Sequence, residues 1–380
     1  MYTRLLNPTP DHSFLLFGPR GTGKTTWIKN KYPNAIYIDL LNSETYKELI
    51  ANPNNLSSLI PSNFTDFIII DEVQRVPELL NEVHRLIESP ERHKFILTGS
   101  SARKLRKQGV NLLAGRAYTY KMYPLIASEL KDDFSLQKSL QFGTLPTVCS
   151  ASDPNKYLQS YLTTYLEQEI NQEGMTRNLS GFYRFLQVAS FSQGSPINMS
   201  SIARETYTQN KVVENYFSIL EDLLIGSFLP SFTKRAKRRL KLRPKFYFFD
   251  AGIYNTARPK GYLDKTSEID GIALETLFLT HLKAIDEYYN LHYLFSYFKT
   301  ASDLEVDFIA YGENGFHAFE IKLTKNIHSK HLNGLKAFAR DYPEAKLYLI
   351  YMGDQKLYYG NITVLPIKEA LLNLDKILTA

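Results

Sequence analysis

A chain of 380 residues with 44% hydrophobic and 22% charged side chains has ordinary globular composition. It is long enough for two or three domains, and nothing in it suggests disorder. Its single cysteine, Cys149, excludes an intrachain disulfide and a cysteine-based zinc cluster and fits a reducing cytoplasm. The net charge of +6 is uneven: residues 231–260 hold ten Lys or Arg against one acid, Asp250, while the remaining 35 basic residues face 38 acidic ones. Charge concentrated in one place speaks of a partner rather than of general solubility.

Arg4, Asp11 and His12 precede the first apolar run, which does not fit a signal peptide, and no apolar stretch approaches the roughly 18 residues of a membrane helix. A cytoplasmic chain without a membrane partner is expected. The apolar run 13–17 leads into Gly18-Pro19-Arg20-Gly21-Thr22-Gly23-Lys24-Thr25-Thr26, which meets every fixed position of GxxxxGK[ST] between a predicted strand and a predicted helix. Gly18, Gly21 and Gly23 are expected to take positive φ and turn N–H groups toward phosphate oxygens at a helix N-terminus. Lys24 then reaches the β- and γ-phosphates of ATP, and the Thr25 hydroxyl ligates its Mg²⁺.

Residues 35–41 read as a buried strand. Phe67 to Ile70 are four consecutive apolar residues, the pattern of a central parallel strand covered on both faces. Asp71 and Glu72 follow at its C-terminal edge, where open α/β sheets bind ligands. Asp71 is the expected Mg²⁺-associated carboxylate, and Glu72 the base that polarises the attacking water. The run 94–101 is another buried strand, ending in hydroxyls. Ser100, ahead of Thr98 and Ser101, is the candidate to sense the γ-phosphate, and the alternative is that these hydroxyls cap a helix beginning at Ala102. Arg116 stands between that helix and the strand 117–122. In a ring it would reach the neighbour's nucleotide; otherwise it is a surface residue or pairs with a local acid.

The set GPRGTGKTT, FIIIDEVQ, FILTGSS and LAGR, followed by Tyr123-Pro124-Leu125 and by Phe142-Gly143-Thr144-Leu145-Pro146, resembles the bacterial and archaeal AAA+ superfamily ATPases that carry a C-terminal domain of unknown function. The resemblance implies a P-loop α/β domain over residues 1–123 with a sheet of order 5-1-4-3-2, then a helical lid over 124–180. Within the lid, Asp153-Pro154 is a predicted cap, and Tyr157, Leu158, Tyr161, Leu162, Tyr165, Leu166 and Ile170 form an amphipathic stripe read as core. The second sensor arginine is unassigned, with Arg177 and Arg184 as candidates.

Residues 181–258 read as a winged helix: a short helix near 200–205, a tight turn, a longer helix over 209–224, and two strands flanking a basic tip. Gln209 and Lys211 lie on the open helix face. Lys234, Arg235, Lys237, Arg238, Arg239, Lys241, Arg243 and Lys245 place eight cations in twelve residues, which suits a phosphate backbone. DNA is therefore the expected partner, bound without sequence-specific readout. A solvated hairpin tip, or a charged face docking on an acidic domain, is the alternative.

Over residues 259–380, a helix at 271–282 precedes the strands 304–311 and 316–323. These two strands pair as a hairpin through either Glu313-Asn314, which sets Asp307 opposite Glu320, or Asn314-Gly315, which sets it opposite Lys322. Period-two alternation then puts Glu305, Asp307, Glu320 and Lys322 on one face, and Val306, Phe308, Phe319, Ile321 and Leu323 on the other. Facing carboxylates repel, and a divalent cation would remove the conflict, with Lys322 orienting water. Asp307 with Glu320-Ile321-Lys322 is similar to the D…ExK signature of restriction-endonuclease-like nucleases, and Glu275 matches that fold's additional acid. The alternative is a polar face with a Lys–carboxylate pair.

Together these readings describe an ATP-hydrolysing, ring-forming homo-oligomer, a hexamer favoured. It would act on DNA, branched DNA included, using Mg²⁺ at the P-loop and a second Mg²⁺ or Mn²⁺ at the nuclease-like site. One rival is a nucleotide-gated signalling or defence switch whose C-terminal domain binds without cleaving. The other is a metal-dependent nuclease that ATP regulates.

Overall fold

The computed structural model describes residues 2–101, 113, 115–172, 176, 178–233, 242–262 and 264–379. Six of the predicted DNA-contacting cations (Lys234, Arg235, Lys237, Arg238, Arg239 and Lys241), Arg177, and nearly all of the helix expected from Ala102 lie outside the described residues. Two compact units are present, one made of Arg4–Tyr123 with Asp222–Leu224, the other of Met1–Thr3, Pro124–Glu221 and Ile225–Ala380. No helix among the described residues is long and apolar enough to cross a membrane.

In the first unit, β1 (Ser13–Phe17), β2 (Ile36–Asp39), β3 (Phe67–Asp71), β4 (Lys94–Gly99) and β5 (Ala117–Lys121) form a parallel sheet in the order β2-β3-β4-β1-β5. Read from the other edge, that order is 5-1-4-3-2. Central β1 and β3 are buried at every position, which is why both are continuous apolar runs. Edge strand β5 is partly exposed and correspondingly polar. The Leu79–Ile87 helix sets Leu79, Leu80, Val83 and Leu86 against Leu15, Ile68, Ile70 and Leu97, and each such side chain contributes about 1.5–3 kcal/mol on burial. Because all five strands run the same way, the loop after β1, Asp71 at the end of β3 and Ser100 after β4 emerge at one sheet edge.

In the second unit, Asp153 accepts Lys156 N at 3.0 Å and caps the Pro154–Ser160 helix. The chain continues helically to Gln172, through a π-helical turn over Tyr161–Tyr165. Leu158, Tyr161, Leu162, Tyr165, Leu166 and Ile170 are buried along it. The Met199–Glu205 and Asn210–Asp222 helices follow, then β6 (Gly226–Leu229) and β7 (Lys245–Phe248), paired antiparallel. Asp250 ends this stretch by accepting Thr144 N and Gly252 N, each at 2.8 Å, which caps the Ala251–Ala257 helix and ties it to the 142–146 segment. Gly143, at φ 73°, lies so close that a Cβ there would sit 1.8 Å from Asp250 Oδ1.

The second sheet has the order β12-β13-β11-β10-β9-β8, formed by β8 (Leu294–Lys299), β9 (Glu305–Gly312), β10 (Gly315–Lys322), β11 (Lys346–Tyr351), β12 (Leu357–Tyr359) and β13 (Ile362–Pro366). The long Thr266–Tyr289 helix packs Phe278 against Phe308 and Phe319, with ring centroids at 6.1 and 5.3 Å. Val306, Ile309 and Ala318 instead join Phe338 of the Asn333–Asp341 helix in a separate core.

The β9–β10 pairing of Gly312 with Gly315 and of Phe308 with Phe319 selects the Glu313-Asn314 loop, so Asp307 stands opposite Glu320. The expected alternation along β9 fails, however. Ser296 pairs with Ile309 and Phe298 with Val306, so two residues of β9, Asp307 and Phe308, oppose the single residue Tyr297. This is a β-bulge, which re-aims the side chains of the bulged strand. It puts Val306 and Phe308 in different cores, although the sequence pattern assigns them one face.

Candidate functional sites

At the edge of the first sheet, the Lys24–Lys31 helix begins directly after the glycine loop, with Gly23 at φ 87° and Gly21 at φ 82°. Gly18 does not have positive φ. It is needed instead for close approach, because a Cβ there would lie 2.5 Å from the Met122 carbonyl oxygen. Thr22 is fully buried and hydrogen-bonds Pro19 O at 2.8 Å, while Arg20 and Thr26 are exposed at the rim.

Lys24, 6% exposed, folds back to donate to Gly18 O at 2.6 Å and Pro19 O at 3.2 Å. A buried ammonium that donates to the carbonyls of its own loop is a cation placed for an anion. Asp71, 4% exposed, accepts from Thr25 Oγ1 at 2.9 Å and also from Tyr37 and Thr98. Three hydroxyls from three elements therefore orient one carboxylate. Burial, then the hydrogen bond to Asp71, raises the Tyr37 phenol far above its ordinary range, so it stays a donor.

Glu72 follows at φ 61°, the left-handed region, so its side chain diverges from that of Asp71. Gln74 Nε2 donates to Glu72 Oε2 at 2.5 Å and to Ser100 Oγ at 3.0 Å. Gln74 Oε1 is buried without a partner among the described residues. Tyr37 and Gln74 were not found from sequence. Gln74 had a visible signal, a buried polar residue between Val73 and Val76. Tyr37 had none, since only the strand register brings it to Asp71. Arg116 Nε lies 2.5 Å from Glu88 Oε1 in an exposed pair, the local-acid alternative.

Residues 11–131 match the model of an AAA domain. The AAA domain thus spans every residue of this site, from Gly18 to Arg116. Residues 133–264 and 270–370 match two further domains, each described as of unknown function. An uncharacterized protein of Mycobacterium tuberculosis is 24% identical over 358 residues, covering 92% of this chain and 78% of its own. One of Haemophilus influenzae is 24% identical over 224 residues, covering 54% of this chain and 56% of its own. The DNA clamp loader delta protein of Bacillus subtilis aligns with 55% of this chain and 83% of its own, at 13% identity and a TM-score of 0.24, too low to argue from.

In the second unit, the β9–β10 register brings Asp307 and Glu320 together. Asp307 Oδ2 accepts Ile321 N at 2.8 Å, and Lys322 Nζ lies 2.5 Å from Glu320 Oε1 and 3.9 Å from Asp307 Oδ2. Glu275, on the Thr266–Tyr289 helix, accepts from Tyr247 Oη at 2.8 Å, and Glu305 pairs with Lys245 and with Lys299 at 3.4 Å. Burial and then the neighbouring Asp307 push the Glu275 carboxyl up to about 8, and the same two causes hold Glu320 well above the carboxylate range. Burial pulls the Lys245 ammonium down, but Asp307, Glu275 and Glu305 outweigh it and raise it overall.

Among the described residues no group of three or more His, Cys, Asp or Glu is placed to hold a metal. The expected set of Glu275, Asp307 and Glu320 is thus gathered in one cluster but not converged on one point. Asp307 and Glu320 still suit Mg²⁺, which commonly takes one or two carboxylates and keeps several waters. Glu320 Oε2, buried and without a partner among the described residues, supports that fit. Lys245 and Tyr247 were not assigned to this cluster from sequence, although their alternation with Phe246 and Phe248 signals one polar-tipped face. Gln209 and Lys211 are exposed at the start of the Asn210–Asp222 helix, Arg243 is exposed before β7, and Arg184 lies over the Tyr207 ring at 5.5 Å.

Proposed function

We propose that the chain is an ATP-hydrolysing protein that acts on DNA, and that its C-terminal segment carries a nuclease-like acidic site. The arrangement of Lys24, Thr25 and Asp71 carries the reading. In it, Lys24 leaves the carbonyls of Gly18 and Pro19 for phosphate oxygens, and Thr25 turns its hydroxyl from Asp71 toward Mg²⁺. Asp71 stays oriented by Tyr37 and Thr98. Bound Mg²⁺ offsets negative charge on the phosphates. Glu72, released by Gln74, accepts a proton from the attacking water, and Ser100 shares Gln74 as the link between that base and the nucleotide.

Arg116 is assigned to the neighbour's nucleotide in a homo-oligomeric ring, a hexamer favoured. An exposed ion pair such as Arg116–Glu88 is weak enough to exchange for that contact. The two helices followed by β6 and β7 are read as a winged helix, and the basic run 234–243 as its grip on the DNA backbone, Lys245 being buried against Glu305 instead. Asp307 and Glu320 are assigned to a second Mg²⁺ or Mn²⁺, with Lys322 orienting water; bound there, the cation would polarise a phosphodiester.

The test is ATP turnover by the full chain at low salt, with and without single-stranded, duplex and branched DNA. Stimulation by DNA that weakens as salt rises is expected. Turnover indifferent to every DNA would overturn the DNA reading. A second reading, a slow nucleotide-gated switch, is favoured by the hold of Gln74 on Glu72. It predicts a nucleotide-dependent change in oligomeric state without DNA stimulation.

A further inference from the structure

Two buried residues of β7 stand in the acidic cluster, although β7 belongs to the preceding segment. Lys245, 1% exposed, pairs with Glu305, and Tyr247, also 1% exposed, donates to Glu275. They alternate with Phe246 and Phe248, so β7 presents both on one side. Glu320, 7% exposed, keeps one carboxylate oxygen without a partner among the described residues beside the Lys322 and Asp307 contacts. A buried oxygen in that state points to a ligand that the chain itself does not supply. Among the described residues no third carboxylate converges on the same point, and Glu275 and Glu305 are each engaged by β7.

We propose that β7 is a clamp that holds Glu275 and Glu305 away from the Asp307–Glu320 pair and thereby lowers the affinity of that pair for a divalent cation. The proposal rests on the reading of the pair as a cation site.

The experiment titrates Mn²⁺ into the full chain at fixed pH, in an Asp71→Asn background that removes the other cation site, and reads free Mn²⁺ by electron paramagnetic resonance. Tyr247→Phe and Lys245→Met should each tighten Mn²⁺ binding at least about fivefold, close to 1 kcal/mol. Lys245→Arg, which keeps the charge, should stay near the parent value, and Asp307→Asn should abolish the binding in every background. Should Lys245→Met fail to fold, Tyr247→Phe carries the test, since it deletes a single oxygen. Equal affinity in the parent and Tyr247→Phe, with Asp307→Asn still abolishing binding, overturns the clamp and leaves the cation reading standing. No Asp307-dependent Mn²⁺ binding in any variant overturns both.

Discussion

The two candidate sites are built in opposite ways. At the AAA site one carboxylate, Asp71, is surrounded by neutral hydroxyl donors from Thr25, Tyr37 and Thr98. At the acidic site four carboxylates, Glu275, Glu305, Asp307 and Glu320, are balanced by Lys245, Lys299 and Lys322. Hydroxyls orient an acid without neutralising it, so the first site keeps a charge to offer to a metal. Ammonium groups orient and neutralise at once, so the second is largely self-compensated. A buried ion pair costs desolvation that its own attraction repays only where geometry and further hydrogen bonds are good.

The comparison is broken first by Lys24→Ala. If the AAA site is poised for an anion, ATP turnover should fall by at least about a hundredfold while melting temperature is retained. Retained turnover would remove the first half of the contrast. His281, outside both sites, supplies a control for burial alone. It accepts Ala127 N at 2.8 Å and bonds Leu277 O at 2.8 Å, and burial lowers its pKa to about 4. The unfolded chain then binds the proton first, so stability is intact above about pH 6.5 and is lost as pH falls toward 4. The loss is about 3 kcal/mol, and it should be absent in an unfolding series on His281→Gln.

Lys322→Met leaves Glu320 and Asp307 uncompensated. Since Lys322 is one-third exposed, a loss of about 2 kcal/mol is expected in denaturant unfolding, and added Mn²⁺ should recover part of it. Tyr37→Phe removes one of three donors to Asp71 and should cost about 1 kcal/mol, with a matching rise in the Mg²⁺ needed for half-maximal turnover. The smallest effect belongs to Glu88→Gln. It weakens the exposed Arg116–Glu88 pair with no measurable change in melting temperature, and any rise in turnover with protein concentration would favour the role in a ring.

What sequence reveals follows how local each site is. The glycine loop, Asp71, Glu72 and Ser100 each sit within a few residues of a strand end, so contiguous motifs suffice to place them. The AAA sheet is legible for the same reason, because buried parallel strands are unbroken apolar runs. Asp307, Glu320 and Lys322 are visible through hairpin alternation, but the bulge at Asp307-Phe308 is not, since it depends on how β8 pairs with β9. Lys245 and Tyr247 are the hardest, as nothing in the order of residues ties β7 to a helix thirty positions onward. Gln74 was within reach: a polar side chain amid Val73 and Val76 signals a buried hydrogen-bonding task.

The bulge in β9 carries one more consequence. Losing Asp307 would let β9 fall into step with β8, but it would carry Val306 opposite Glu320 and slip the pairing with β10 by one residue beyond Phe308. The extra residue thus lets one strand serve two neighbours at once, and a codon deletion that mends one seam would open the other.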